Sequence, residues 1–375
     1  MCIRDRPKNV QTQKTRNGRA GPLDLPYYTV NRPVNPAALK HALTLIRNAK
    51  KPLMVMGQGS VLANAHTTLR KFAHRHNIPV ATTIMAKGAF DEKDPLSVGC
   101  GGMHGRRVAN FALANCDVLL SFGFRFSDRV TGAPKAFSKG KKIIHVDIDP
   151  YEIGKNVPVH VELNCDAKDA ADALYEALAN FAGNEKWQDW SHEIKHYRRV
   201  CNNCVGEPSN GKILPKTLMY ALNDVLAADD VVVTGVGQHQ MFATHYLYRQ
   251  NPRTFVTSGG AGTMGFCLPA AIGASLAKPD VNVWAVDGDG SLQMTVQELG
   301  TLYASGTKVI LVVMDNGYLG MVRQWQELFH DRRYSSVELS DNPDFVKLAE
   351  AYGIEGRFVD DEPSLKAVSY THLRA

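Results

Sequence analysis

Hydrophobic positions along the chain form short continuous runs that alternate with stretches of helical spacing, beginning near Asn35. Asn35 fits a helix N-cap because its side chain can accept from backbone amides of the first turn, and Pro36 follows at the position where proline is favoured. Hydrophobic runs without polar alternation are typical of strands buried on both faces of a parallel sheet. In the first half the predicted helices are Pro36–Ala49, Asn64–His76 and Ala167–Phe181. The predicted strands are Leu53–Met56, Ile78–Thr82, Asp117–Phe122 and Lys142–Asp147.

The second half has the same style of pattern. The predicted strands are Asp230–Thr234, Val281–Val286 and Val309–Met314, and the predicted helices are Leu268–Lys278, Thr295–Ala304 and Leu319–Phe329. Helices and strands in alternation predict a doubly wound parallel sheet with helices on both faces. The fold class is therefore α/β, with two consecutive doubly wound parallel-sheet domains.

The domain boundaries follow from shifts in composition. We place the first domain at residues 33–185 and the second at 213–367, with a polar, aromatic-rich linker at 186–212 and a Pro/Gly-containing stretch at 7–32. Residues 1–6 and 368–375 match no neighbouring periodic pattern and resemble translated sequencing-adapter read-through. We expect both to be non-native.

Bulk composition narrows the function classes. The formal net charge of +6 comes from 43 basic and 37 acidic residues that are scattered along the chain. Since no basic stripe interleaves with aromatic residues, we predict no nucleic-acid partner. No apolar run approaches the roughly 18 residues of a membrane span, so we predict no membrane association. Seven dispersed cysteines favour a reducing compartment, the cytoplasm or an organelle matrix.

Polar motifs follow two predicted strands of the second domain. Gly288-Asp289-Gly290-Ser291 comes directly after one strand, and Asp315-Asn316-Gly317 comes after the next. Ligands of open α/β sheets bind at the carboxyl edge, where both motifs should lie. A carboxylate, an amide oxygen and a backbone carbonyl suit Mg²⁺ that also binds a diphosphate. The predicted metal ligands are Asp289, Asn316 and the carbonyl of Tyr318, with Ser291 opening a helix that favours anions.

These motifs are typical of thiamine-diphosphate enzymes. With three further segments they resemble the catalytic subunits of acetolactate synthases, over nearly all of Pro7 to about Lys366; the segments are Gly235–Ala243, Ser258–Phe266 and Leu319–Gln326. The resemblance makes the first domain a central FAD-binding-like domain and the second a thiamine-diphosphate-binding domain. It makes residues 7–32 the tail of an N-terminal pyrimidine domain plus a linker.

The resemblance implies a set of residues that contact thiamine diphosphate. They are Gln238, His239, Gly262, Met264, Gly288, Asp289, Gly290, Ser291, Asn316, Tyr318 and Met321. In the family, the methionine matched by Met264 wedges under the cofactor and bends it. Packing of a buried loop is the alternative explanation for this methionine. Asp315 departs from the family, which usually has two asparagines here.

The resemblance also implies a structural FAD in the first domain. The matched residues are Gly57, Gln58, Gly59, Thr83, Ile84, Met103, His104, Gly123, Arg125, Asp147, Ile148, Asp166 and Ala167. Backbone amides among them could hold the diphosphate, and Asp147 could accept from a ribose hydroxyl. Two residues depart from the family at this implied site: Gln58 replaces a glycine and Ser127 replaces an acidic residue.

A substrate pocket is implied at Arg125, Asp128, Arg129, Met321 and Trp325. In the family the tryptophan shapes the pocket for the second keto acid, which favours an acetolactate synthase over a pyruvate decarboxylase or oxidase. Core packing is the alternative for Trp325, because Met321, Val322, Leu328 and Phe329 share its helical face.

By resemblance the chain is part of a transferase that condenses pyruvate with pyruvate or 2-ketobutyrate, with loss of carbon dioxide, in branched-chain amino-acid biosynthesis. Implied partners are 2-keto acids, a second copy in a homodimer or larger homo-oligomer, and a regulatory small subunit. The family's activating glutamate belongs to the N-terminal domain, so no residue here is a candidate catalytic base and we expect the chain alone to be inactive. The alternatives are glyoxylate carboligase, pyruvate oxidase and a non-catalytic subunit of the same fold.

Overall fold

The computed structural model describes residue 9 and residues 12–14, 32–181, 183, 186–202 and 213–371. All structural statements below refer to these residues. The predicted leader at 1–6, most of the stretch at 7–32 and residues 372–375 lie outside them. Within the predicted tail, residues 368–371 continue the last helix.

The first unit is built around six strands and eight helices, with a 3₁₀ turn at Ile84–Ala86. In chain order they are α1 Pro36–Asn48, β1 Pro52–Met56, α2 Gln58–Leu62, α3 His66–His76, β2 Val80–Thr82, β3 Ser97–Cys100, α4 Arg107–Asn115, β4 Val118–Phe122, α5 Asp128–Thr131, α6 Pro134–Ser138, β5 Lys142–Asp147, β6 Val161–Asn164, α7 Ala167–Ala177 and α8 Lys186–Asn202.

The six strands form one parallel sheet in the order β3-β2-β1-β4-β5-β6. Every residue of β1 and β4 is buried, because helices cover both faces of the sheet. The predicted cap is present, since the Asn35 side chain accepts from the amides of Ala37 and Ala38 at 2.9 and 3.2 Å. The strand order reverses between β1 and β4, and ligands of such sheets bind at that crevice.

Helix α8 occupies most of the segment that the sequence indicated as a linker. Trp187 and Trp190 are only 2% and 1% exposed, and their indole nitrogens donate to the carbonyls of Ala49 and Pro52 at 2.8 and 3.0 Å. The helix therefore packs onto the first unit. Residues 203–212 lie outside the described residues.

The second unit contains four strands and eight helices, with a 3₁₀ turn at Gln293–Thr295. In chain order they are α9 Pro215–Val225, β7 Val231–Thr234, α10 Gln238–Tyr246, β8 Phe255–Thr257, α11 Cys267–Ala277, β9 Val283–Gly288, α12 Asp289–Leu292, α13 Glu298–Ser305, β10 Val309–Met314, α14 Gly320–Phe329, α15 Phe345–Ala351 and α16 Glu362–Thr371.

The second sheet is also parallel, in the order β10-β9-β7-β8. Strand β8 lies on one side of β7, whereas β9 and then β10 lie on the other side. The order thus reverses between β7 and β9, which creates a crevice at their carboxyl ends. The predicted α/β class with two parallel-sheet domains is confirmed. The sequence did not reveal β3, β6 or β8, because strands of three or four residues carry too few positions to show a period.

None of the helices among the described residues is both long and apolar enough to cross a membrane.

A buried histidine in the first sheet should make the chain acid-sensitive. His145 on β5 is fully buried, its Nε2 lies 3.8 Å from Oδ2 of Asp147, and burial lowers its pKa to about 4. Above pH 6.5 both folded and unfolded chains hold it neutral. As the pH falls from 6.5 towards 4, only the unfolded chain gains the proton, so up to roughly 3 kcal/mol of stability is lost.

The acid effect can be isolated by comparing variants. We expect the free energy of unfolding, measured with urea, to fall less between pH 6.5 and 4.5 for His145→Leu than for wild type. The reason is that the variant takes up no proton at this site on unfolding. The exposed His41→Gln should follow the wild-type pH profile. Parallel profiles for wild type and His145→Leu would contradict the prediction.

Candidate functional site

The two polar motifs of the second domain meet at one edge of the sheet. Strands β9 and β10 pair in parallel with Gly288 opposite Met314. Asp289 and Asp315 are therefore the first residues after the ends of two neighbouring strands. Helix α12 starts at Asp289 and lasts a single turn, rather than opening at Ser291 as the sequence suggested.

Asp289 is buried and surrounded by hydrogen-bond donors. Its Oδ2 accepts from the amide of Gly317 and from Nδ2 of Asn342, both at 2.9 Å. The same Asn342 nitrogen donates to Oδ1 of Asp315 at 3.0 Å. Burial raises the pKa of Asp289, and the neighbouring Asp315 carboxylate raises it further. Two carboxylates this close repel each other, and a cation between or beside them would relieve the repulsion.

Asn316 and Tyr318, which follow β10, carry oxygen atoms suited to a hard divalent cation. Oδ1 of Asn316 accepts from the amide of Tyr318 at 3.0 Å, which fixes the asparagine side chain. Tyr318 forms an antiparallel bridge with Glu338, whose hydrogen bonds run from Leu319 N to Val337 O and from Leu339 N to Gly317 O, not to the Tyr318 carbonyl. A carboxylate, a side-chain amide and a backbone carbonyl therefore fit Mg²⁺.

The end of β7 supplies the next part of the site. Nε2 of Gln238 donates to Oε1 of Gln324 on α14 at 3.0 Å, which links α10 to α14. His239 is buried, and its Nε2 lies 3.3 Å from Oδ1 of Asp287, a carboxylate with no solvent exposure. Asp287 thus faces the imidazole without a hydrogen bond to it, since Oδ1 of Asp287 accepts from Gly288 N at 2.9 Å and Nε2 of His239 is buried without a hydrogen-bond partner.

Gly235, directly after β7, lies so close to the side chains of Asp287 and Ser291 that no side chain fits at this position. A Cβ at this position would lie 1.9 Å from Oδ1 of Asp287 and 2.5 Å from Oγ of Ser291. Any side chain would push these two groups away from the site.

The loop at residues 258–265 carries Met264 into the same region. Within the loop Thr263 N donates to Oγ of Ser258 at 3.0 Å, and at its end Gly265 N donates to Oγ of Ser291 at 3.2 Å, which anchors the loop to α12. Cε of Met264 would lie 3.8 Å from a Cβ on Gly290. The buried Ser291 hydroxyl therefore supports the loop.

One cavity of about 1600 Å³ joins these parts. All the residues that the resemblance assigned to thiamine diphosphate line it, namely Gln238, His239, Gly262, Met264, Gly288, Asp289, Gly290, Ser291, Asn316, Tyr318 and Met321. Folding has brought three strand ends and one loop, distant in sequence, around one space.

The residues of the implied substrate pocket do not share a cavity in this chain. Met321 lines the large cavity, whereas Trp325 lines a neighbouring one of about 460 Å³. Arg125, Asp128 and Arg129 lie in and around α5 of the first domain and line neither.

Helix α14 presents its apolar face outward. Val322, Trp325, Leu328 and Phe329 are between 42% and 66% exposed, and no residue of the helix is buried. Core packing within this chain therefore does not explain the hydrophobic face.

The residues assigned to FAD all lie at the carboxyl edge of the first sheet. They follow β1 (Gly57, Gln58, Gly59), β2 (Thr83, Ile84), β3 (Met103, His104), β4 (Gly123, Arg125), β5 (Asp147, Ile148) and β6 (Asp166, Ala167). The group after β1 and the group after β4 flank the crevice where the strand order reverses.

Two backbone amides at this crevice already donate hydrogen bonds to carbonyl groups of the fold. Gly57 N donates to Phe122 O and Gly59 N donates to Gly123 O, at 2.9 and 3.1 Å. A Cβ on Gly57 would lie 2.0 Å from Gly123 O, and Gly123 has a φ of +58°. These glycines allow two loops to touch, and their own amides are engaged in that contact rather than free for a diphosphate.

The remaining polar groups at this edge are partly committed to the fold. Oδ1 of Asp147 accepts from Asp149 N at 2.9 Å, and burial raises its pKa. Asp166 caps α7 through Lys168 N at 2.7 Å. Nε2 of His104 is buried without a hydrogen-bond partner, and burial lowers the pKa of this histidine.

Sequence reasoning missed Asn342, Asp287 and Gln324. Asp287 adjoins the glycine motif and could have been found by asking what faces His239. Asn342 lies in an irregular loop far along the chain, and no pattern in the sequence marks it.

Comparison with known families agrees with this geometry. Residues 39–174 match the thiamine pyrophosphate enzyme central domain, and residues 235–372 match the thiamine pyrophosphate enzyme C-terminal TPP binding domain.

Individual relatives carry acetolactate synthase names. The large subunit from Parasynechococcus marenigrum is 44% identical over 330 residues, which is 88% of this chain and 53% of that protein. A probable large subunit from Methanocaldococcus jannaschii is 42% identical over 337 residues, covering 89% and 57%. The large subunit from Corynebacterium glutamicum is 41% identical over 354 residues, covering 93% and 56%. The chain thus spans about half the length of the curated relatives it matches. With both domains matched in order and the resemblance to acetolactate synthase large subunits confirmed, the chain belongs to the thiamine pyrophosphate enzyme family.

Proposed function

We propose that this chain is part of an acetolactate synthase catalytic subunit and that its large cavity binds thiamine diphosphate with Mg²⁺. The observation that carries the proposal is the placement of Asp289 and Asn316 just beyond the ends of neighbouring parallel strands. Both line a cavity that is also lined by every other residue assigned to the cofactor. The names of the relatives support the same activity.

Different residues of the cavity would bind different parts of the cofactor. Asp289, Asn316 and the Tyr318 carbonyl would hold the cation, and the glycines at 288 and 290 let diphosphate oxygens approach the backbone. Met264 would pack against the organic part of the cofactor from its anchored loop. Bound thiamine diphosphate supplies an electron sink for decarboxylation of a 2-keto acid. The protein's part is to orient the reactants and to exclude water.

For the first domain we propose FAD at the carboxyl edge, flanked by the loops after β1 and β4. The crevice and the implied residues support this, although the amides of Gly57 and Gly59 are occupied. We also propose that the exposed face of α14 and the pocket residues Arg125, Asp128 and Arg129 are completed by a second copy of the protein. A regulatory small subunit remains part of the proposal through the large-subunit names of the relatives.

Cofactor binding is the first test. We expect thiamine diphosphate to bind the purified chain saturably in a calorimetric titration with Mg²⁺ present, and at least tenfold more weakly with chelator, because the cation screens the diphosphate from Asp289. Binding that ignores Mg²⁺ would contradict the proposed site.

The reaction is tested in a chimera. Residues 33–367 would replace the matching part of the Corynebacterium glutamicum relative, and products from pyruvate would be measured. Acetolactate formation supports the proposal. Preference for glyoxylate would indicate a carboligase, oxygen consumption would indicate a pyruvate oxidase, and a folded, cofactor-loaded but inactive chimera would favour a non-catalytic subunit.

A further inference from the structure

We infer that Asn342 is a positioning residue for the cation site: its side-chain amide holds the carboxylates of Asp289 and Asp315 in the arrangement that receives the metal. The inference rests on the proposed function of the cavity. Asn342 itself is not among the cavity-lining residues, so it acts through its neighbours.

The geometry at Asn342 is specific. One amide nitrogen donates to Oδ2 of Asp289 at 2.9 Å and to Oδ1 of Asp315 at 3.0 Å. The amide oxygen accepts from Nε2 of Gln293 at 2.9 Å, and that nitrogen also lies 3.2 Å from the carbonyl oxygen of Asp289. The amide cannot flip without replacing all three contacts by repulsive ones, since each carboxylate would then face an oxygen.

The pairing also accounts for the second carboxylate. Asp289 and Asp315 bring two carboxylates to this strand edge, both within hydrogen-bond distance of the same Asn342 nitrogen. An uncharged double donor between them holds both oxygens in place without competing for the cation. A lysine there would neutralise the charge that attracts the metal, and an apolar residue would let the carboxylates move apart. Outer-shell partners of metal ligands characteristically change metal affinity by about 10- to 100-fold when removed.

The test measures binding of Mn²⁺, an oxygen-seeking stand-in for Mg²⁺ that is followed by electron paramagnetic resonance, in the presence of thiamine diphosphate. We expect Asn342→Ala to weaken Mn²⁺ binding by about 10- to 100-fold. The matched control is Asp341→Asn, an exposed neighbour in the same loop, which should bind as wild type does. Gln293→Leu removes the donor that orients Asn342 and should show a smaller loss in the same direction.

The outcomes separate two failures. If wild type binds Mn²⁺ and both Asn342→Ala and Gln293→Leu bind equally well, the inference about Asn342 is wrong while the site stands. If wild type shows no saturable Mn²⁺ binding with thiamine diphosphate, the proposed cofactor site fails and the inference with it. A merely structural role would lower the melting temperature of Asn342→Ala but leave the rise in melting temperature on addition of Mn²⁺ and thiamine diphosphate as large as in wild type. We expect that rise to be smaller in Asn342→Ala than in the Asp341→Asn control, and an equal rise would overturn the positioning role.

Discussion

Replacing Asp289 by asparagine is expected to weaken Mg²⁺-dependent binding of thiamine diphosphate by about 100-fold or more, while the metal-free chain becomes no less stable. The carboxylate is the one charged ligand among the three proposed, so its loss should exceed the roughly 10- to 100-fold effect of outer-shell partners. In the metal-free chain, the amide oxygen can still accept from Gly317 N and Asn342 Nδ2. The substitution also removes one of the two like charges at this strand edge, because Asp315 lies close by.

The affinity for the cofactor should therefore fall without a fall in the stability of the metal-free chain. Sites that collect like charges for a ligand commonly reduce the stability of the empty protein. We would measure calorimetric binding and thermal melting of the same preparations. Asp315→Asn is the matched control, because it removes the same charge repulsion but keeps the proposed ligand, so its binding loss should be much smaller. Equal binding losses in the two variants would show that Asp289 has no special role.

Replacing Glu92 by glutamine is expected to lower the free energy of unfolding by about 3 to 5 kcal/mol, because it leaves a buried ammonium group without its counter-charge. Lys87 and Glu92 are both fully buried, and Lys87 Nζ lies 2.7 and 2.6 Å from the two carboxylate oxygens. Burial lowers the pKa of Lys87, so release of its proton sets an upper limit to the loss.

The same ion pair joins the two domains. Lys87 Nζ also donates to Thr244 O at 3.1 Å, and Glu92 accepts from Arg249 N at 2.8 Å; both of these partners belong to the second unit. We therefore expect Glu92→Gln to loosen the domain contact as well, seen as a protease-sensitive connection in limited proteolysis.

Urea unfolding with two companion variants tests the ion pair. The double variant Lys87→Met/Glu92→Leu should lose less than Glu92→Gln alone, because no charge stays buried. Lys155→Met removes an equally short but exposed contact, Lys155 Nζ to Glu152 at 2.7 Å, and should cost less than about 1 kcal/mol. A loss for Glu92→Gln no larger than for Lys155→Met would refute the importance of burial here.

The family resemblance of the cavity residues came from sequence, and their convergence could be predicted because parallel strands end at a common edge. Asp289 and Asn316 each follow an apolar run, and a helical connection between the two strands makes them parallel, so that both motifs lie at the same edge of the sheet. The fold decided that these strands are neighbours, since β8 and β9 are also joined by one helix and β7 lies between them. The same argument placed the residues from Gly57 to Asp166 at one edge of the first sheet. It could not show that the amides of Gly57 and Gly59 donate to Phe122 O and Gly123 O, since strand patterns do not reveal hydrogen bonds between two loops that touch.

Sequence alone determined the two α/β units, the strand-end motifs and the family, because these depend on local periodicity and short contiguous segments. Tertiary structure decided that Trp187 and Trp190 belong to a packed helix rather than a linker, since only the neighbouring carbonyls and core surface reveal what an aromatic-polar segment covers. It also brought Asn342 to Asp289 across 53 positions of sequence. A hydrogen bond between an irregular loop and a strand end has no periodic signature, so only the folded chain could show it.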